Sequence, residues 1–130
     1  MKDINIYLVD DDDNGLFITK RFIRKADPSL IVTCFLSSQE LVEKLKSEEV
    51  DFPDIIITDL NMPILSGFEM MDQISKLPKF NSSTKTYIQS ALINPVDMEV
   101  IEKSPVYAGH FEKFISIEKA IEIVEDYKQS

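Results

Sequence analysis

Apolar runs and segments of helical periodicity alternate along this chain from one end to the other, and that alternation leaves few folds open. The runs are "INIYLV" (4–9), "LIVTCFL" (30–36), "DIIIT" (54–58), "KTYIQSAL" (85–92) and "GHFEKF" (109–114). "DIIIT" is almost entirely β-branched, as a strand covered on both faces requires. Between the first two runs, Leu16, Phe17, Lys20, Phe22 and Ile23 follow helical spacing until Pro28 closes the element. "SSQE" then places a capping-box pattern from Ser37 to Glu40, ahead of Leu41, Val42 and Leu45. "GFEMMDQISKL" (67–77) fits a third helix, and "SIEKAIEIVEDYK" (116–128) a fifth. Asn94 and Pro95 read as the N-cap and first residue of the fourth. Five strands alternating with five helices predict an α/β fold, a three-layer doubly wound sandwich with helices on both faces of a parallel sheet. Crossovers in such a sheet are right-handed. Ligands bind there beyond the carboxyl ends of the strands, which singles out Asp10 to Asp13, Asp59, Ser90 and Lys113.

A chain of 130 residues with 44% hydrophobic content fits one domain with a substantial core. Its formal charge of −9 argues against nucleic acid as a direct partner and favours a basic surface or a metal ion. No segment approaches the ~20 apolar residues a membrane-spanning helix needs, and "MKDINIYLV" does not resemble a signal peptide. A soluble, cytoplasmic protein with no membrane partner is expected. The single cysteine, Cys34, lies inside an apolar run and is expected to be a buried thiol.

Three acids emerge at predicted strand ends, Asp10 and Asp11 after the first and Asp59 at the end of the third. Two unit charges ~4 Å apart repel by ~4 kcal/mol at an effective dielectric near 20, so a trio needs compensation, or one member becomes protonated. Hard oxygen ligands with room for water suit Mg²⁺. Lys113 adds a positive charge and Ser90 a hydroxyl donor. A nucleophilic carboxylate, a divalent cation, a lysine and a hydroxyl are the parts that phosphoryl transfer to a carboxylate would need.

Four segments, "YLVDDDD", "IIITDLNMPILSGFE", "YIQSALINP" and "GHFEKF", stand in an order and spacing that resemble the receiver domain of bacterial two-component response regulators. The resemblance covers essentially the whole chain. It implies a flavodoxin-like sheet of order 2-1-3-4-5 and a single receiver over residues 1–130 with no output domain, monomeric or weakly dimeric. It implies that Asp59 is the phosphoacceptor, that Asp11 binds Mg²⁺ (or Mn²⁺ in its place) directly, and that Asp10 acts through metal-bound water. Asn61 would lend the metal its backbone carbonyl, Ser90 would close on the phosphoryl group and Lys113 would pair with it. His110 stands where the family often places a switching aromatic residue. The donor would be a sensor histidine kinase or a histidine phosphotransfer protein, the output contact with an unidentified protein target, and the domain a switch and not a turnover enzyme.

The remaining residues of the acidic run read as the start of the first helix, where Asp12 and Asp13 complement the dipole. Phe114 stands where the family usually has a cis proline. Because a cis bond before a non-proline residue costs ~2.5–4 kcal/mol, Lys113–Phe114 is expected to be trans, with an altered loop. Ser66 reads as a turn residue without chemical consequence. Calcium is a rival, since Asp10, Asp12, Asn14 and Gly15 match the opening of an EF-hand loop. Arg21, however, stands where that loop needs its bidentate glutamate. A haloacid-dehalogenase-like phosphohydrolase would use Asp10 and Asp12, but Asn14 departs from that pattern and the chain is short. The third rival is a receiver-like module that binds partners without phosphorylation, against which the retained acids, Ser90 and Lys113 all weigh.

Overall fold

The apolar runs become strands β1 (Asn5–Val9), β2 (Ile31–Phe35), β3 (Ile55–Asp59), β4 (Lys85–Ser90) and β5 (Tyr107–Glu112). Between and after them run α1 (Asp13–Ala26), α2 (Ser38–Lys46), α3 (Gly67–Ser75), α4 (Pro95–Ile101) and α5 (Ile117–Lys128). The computed structural model describes residues 3–47, 49–60, 62, 64–80, 83–90 and 95–129, without the side chains of 95 and 96. All four strand pairings are parallel and the sheet order is β2-β1-β3-β4-β5. This is the expected doubly wound, flavodoxin-like arrangement.

Local chemistry places the helix starts. Asp12 is the N-cap of α1, its carboxylate accepting from the Asn14 amide at 3.0 Å, so the second half of the acidic run does open a helix. Ser37 caps α2 by accepting from the Glu40 amide at 3.1 Å. Ser66, read from sequence as a plain turn residue, caps α3. Its hydroxyl accepts from the Glu69 amide at 3.1 Å while Glu69 Oε1 accepts from the Ser66 amide at 3.2 Å, the reciprocal capping box. The third helix ends at Ser75, two residues before the predicted limit. The last strand spans 107–112 where 109–114 was predicted, and leaves Lys113 in the loop beyond it. Asn94 lies outside the described residues.

Two apolar layers flank the sheet. Ile6, Leu8, Ile55 and Ile57 pack against Leu16 and Ile23 of α1 and Ile123 and Val124 of α5. Val9, Ile56 and Ile88 pack on the other face against Leu41 and Leu45 of α2, Met70, Met71 and Ile74 of α3, and Ile101 of α4. Ile55, Ile56 and Ile57 are all essentially inaccessible, each burial worth about 1.5–3 kcal/mol. A central strand covered on both faces needs this unbroken apolar run.

β2 behaves differently, and corrects one expectation. Cys34 is exposed, not buried. Its strand lies at the edge of the sheet with β1 as its one neighbour, and Ile31 and Thr33 are exposed with it. The run "LIVTCFL" is as apolar as a central strand, but apolarity does not say which strand gets the edge. Phe17, counted with the apolar positions of α1, also points outward and is 66% exposed.

Candidate functional site

β1 and β3 are neighbours, so the residues leaving their carboxyl ends meet. One ligand oxygen from each of Asp10, Asp11 and Asp59 lies within 4.8 Å of the others. Asp10 is pinned in place. Its backbone amide donates to Phe35 O at 3.1 Å, its Oδ1 accepts from the Asp12 amide at 3.1 Å, and the residue is buried to 1% exposure. Asp11 faces solvent. Asp59 is the last residue of β3, with its side chain 13% exposed.

Lys113 reaches into this group from the loop after β5. Its ammonium sits 2.7 Å from Asp10 Oδ2 and 3.0 Å from Asp59 Oδ2. Burial alone would lower the lysine pKa, but its contacts with the Asp10 and Asp59 carboxylates outweigh that and hold it above the ordinary lysine value. The Phe114 ring lies 5.3 Å from the same ammonium, within cation–π range. The Lys113–Phe114 bond is cis, which overturns the expected trans bond. That expectation weighed the intrinsic cost of the peptide alone. Tertiary contacts also bear on the residue: two carboxylates hold the Lys113 side chain, and its amide donates to Ser90 O at 3.3 Å.

Three carboxylates against one ammonium leave the cluster with two negative charges in excess. At separations of a few ångströms each carboxylate pair repels by about 3–4 kcal/mol at an effective dielectric near 20. The donor set is hard oxygen, drawn from two strand ends, with Asp11 open to water, and it fits a Mg²⁺-sized cation that keeps part of its hydration shell. Asn61, expected to add a carbonyl, lies outside the described residues.

Ser90 ends β4, the strand beside Asp59, and is buried to 4% exposure. Gly67 was legible in the sequence as part of a motif, but its reason is spatial. A Cβ there would stand 2.6 Å from the backbone oxygen of Asp59, so α3 can begin this close to the acid only with glycine. In the loop between them Ile64 has φ 70°, a left-handed conformation that β-branched residues rarely adopt.

His110 is not part of the acid cluster. It is exposed on β5, and its Nδ1 shares a 2.7 Å hydrogen bond with the Tyr107 hydroxyl, the two rings stacked at 24°. Residues three apart on a regular strand face opposite ways. Here β5 shifts register between Thr86↔Tyr107 and Tyr87↔Gly109, and the extra residue, Ala108, brings Tyr107 and His110 to one side. The Tyr107 pKa is raised, first by burial and then by the nearby charge of Glu102. No sequence signal marked this pair.

Known proteins place the geometry in a family. Residues 6–125 match the family described as the response regulator receiver domain. The two-component response regulator ARR11 of Arabidopsis thaliana is 32% identical over 71 residues, which cover 55% of this chain and 13% of that protein. The chain therefore matches a small part of that relative's length. A two-component response regulator from Cytophaga hutchinsonii superposes with a TM-score of 0.87 at 21% identity over 100% of both chains. A response regulator receiver protein from Dyadobacter fermentans gives 0.81 at 26% identity, covering 98% of this chain and 99% of the other. Among the described residues no helix is long and apolar enough to cross a membrane.

Proposed function

The chain belongs to the response regulator receiver domain family of two-component signalling, and from that premise we propose that it is a switch set by phosphorylation of Asp59. Receiver domains are signalling domains and not, as a rule, enzymes. The observation that carries the reading is the Lys113 ammonium held between Asp10 and Asp59 at 2.7 and 3.0 Å. It brings a cation from the far edge of the sheet onto the carboxylate that would be modified.

Asp59 supplies the nucleophilic oxygen. An Asp59 O–P bond forms as the P–N bond of a phosphohistidine donor breaks, and the imidazole leaves with the bonding pair. Asp10, Asp11, Asp59 and the Asn61 carbonyl would hold Mg²⁺, or Mn²⁺ in its place. When bound, the metal offsets the excess negative charge of the acids and of the incoming phosphoryl oxygens. Lys113 pairs with a phosphoryl oxygen, and the Ser90 hydroxyl donates to another. The donor is a sensor histidine kinase or a histidine phosphotransfer protein. The output is protein contact, through a population shift at the surface made by α4, β5 and α5. His110 lies on that surface, and its imidazole NMR shifts should change on phosphorylation if it takes part.

Incubation with acetyl phosphate and Mg²⁺, followed by intact mass measurement, tests the reading. One phosphoryl adduct is expected on the wild type, and none on Asp59→Asn or in the presence of excess chelator. No adduct on the wild type, or an equal adduct on Asp59→Asn, overturns it in favour of a binding module that works without phosphorylation.

A further inference from the structure

Gly15 is the third residue of α1 and is buried. Glycine is the poorest helix former after proline, so its place in the first turn of a fourteen-residue helix needs a cause. Backbone conformation is not the cause, since no glycine among the described residues has a positive φ. Space is. A Cβ at Gly15 would stand 2.5 Å from Asp10 Oδ2 and 3.3 Å from Asp10 Cγ.

A carboxylate at the end of a mobile side chain could step aside. Asp10 cannot do so cheaply. Its Oδ1 is engaged by the Asp12 amide, its Oδ2 by Lys113, and the residue has 1% of its surface exposed. The oxygen that Lys113 grips is the same atom that fills the space beside Gly15. From this we infer that Gly15 is a positioning residue. The absent side chain is the socket that seats Asp10 Oδ2 against Lys113, and so sets the spacing of Asp10 from Asp11 and Asp59. The consequence for cation binding rests on the phosphoacceptor reading above, while the socket itself rests on geometry alone.

A double-mutant cycle of Gly15→Ala and Asp10→Ala separates the two. In metal-free buffer, Gly15→Ala should lower the melting temperature of the wild type by about 3–5 °C. In the Asp10→Ala background, with the carboxylate gone, it should raise it, as alanine does in an ordinary helix. In a Mg²⁺ titration, Gly15→Ala should weaken affinity about tenfold in the wild type and leave the Asp10→Ala background unchanged. A rise in melting temperature in both backgrounds, or unchanged Mg²⁺ affinity in the wild-type background, overturns the inference. If the single Gly15→Ala variant does not fold, a folded double variant supports the socket and an unfolded one refutes it. If the wild type itself fails to bind Mg²⁺, the phosphoacceptor reading falls, and the metal-free cycle still decides the role of Gly15.

Discussion

Two aspartates bracket the five-residue strand β3, and their surroundings are opposite. Asp54, just before it, is satisfied by neutral donors. Its Oδ2 accepts from the Asn5 amide at 2.8 Å and its Oδ1 from the Tyr127 hydroxyl at 2.6 Å. Asp126, on α5, likewise accepts from Tyr87 at 2.9 Å. Asp59, at the other end of the strand, shares one ammonium with Asp10 and stands among three carboxylates. The amino end of the sheet is electrostatically finished, tying α5 to β3 and β4. The carboxyl end is left with excess negative charge in a cluster that fits a metal ion. A fold that tolerates such frustration at one end must be held together elsewhere, and the Asp54–Tyr127 and Asp126–Tyr87 contacts are part of how it is held.

The largest test of this contrast is Lys113→Met in the absence of metal. It strips the buried Asp10 of its counter-charge and should cost about 3 kcal/mol in urea unfolding. A loss below about 1 kcal/mol would mean the carboxyl end does not depend on the lysine. Asp54→Ala should cost about 2 kcal/mol by removing two hydrogen bonds to a charged acceptor. That loss should be the same with and without Mg²⁺. A loss that Mg²⁺ rescues would join the two ends that the comparison separates.

Tyr127→Phe should cost about 1 kcal/mol near neutral pH, and its pH dependence sharpens the test. Burial, the hydrogen bond to Asp54 and the Asp54 charge raise the Tyr127 pKa from 10.0 to about 12. The folded state therefore retains a proton that the unfolded chain releases above its own pKa. The contribution is whole below about pH 10 and is lost as pH rises through about 12. The stability gap between wild type and Tyr127→Phe should close over that window, and a gap that persists through it would contradict the contact. The smallest expected effect is at Asp11→Ala. Without metal it should leave stability within about 0.5 kcal/mol of the wild type, or raise it, because an exposed like charge is removed. The same variant should abolish Mg²⁺-dependent stabilisation in thermal melts. A metal-free loss above about 1 kcal/mol would show that the acids are not in mutual repulsion.

Much of this was legible in the sequence. "DIIIT" announced a doubly covered strand because an uninterrupted β-branched run has few other homes, and Ile55, Ile56 and Ile57 are all fully buried. Asp10, Asp11, Asp59 and Lys113 were legible as one cluster because each stands at or within two residues of the carboxyl end of an apolar run, and doubly wound sheets gather those positions. The misreadings have different causes. Cys34 sits in a run as apolar as any other, yet lies exposed at the edge of the sheet. Ser66 was a local pattern passed over: Ser66 to Glu69 repeats the spacing read as a capping box at Ser37 to Glu40, and both of its hydrogen bonds form.

Local patterning determined the number and type of elements, their parallel arrangement and the residues at the strand ends, because period and capping are properties of neighbouring residues. Tertiary structure decided what depends on residues distant in sequence. It set which strand takes the edge, which oxygens Lys113 grips, and why Gly15 and Gly67 must lack a side chain beside Asp10 and Asp59. It also set the turn of β5 that brings Tyr107 beside His110. Those outcomes are fixed by the volume and charge of groups that meet in space after the chain has folded, and no window along the sequence contains them.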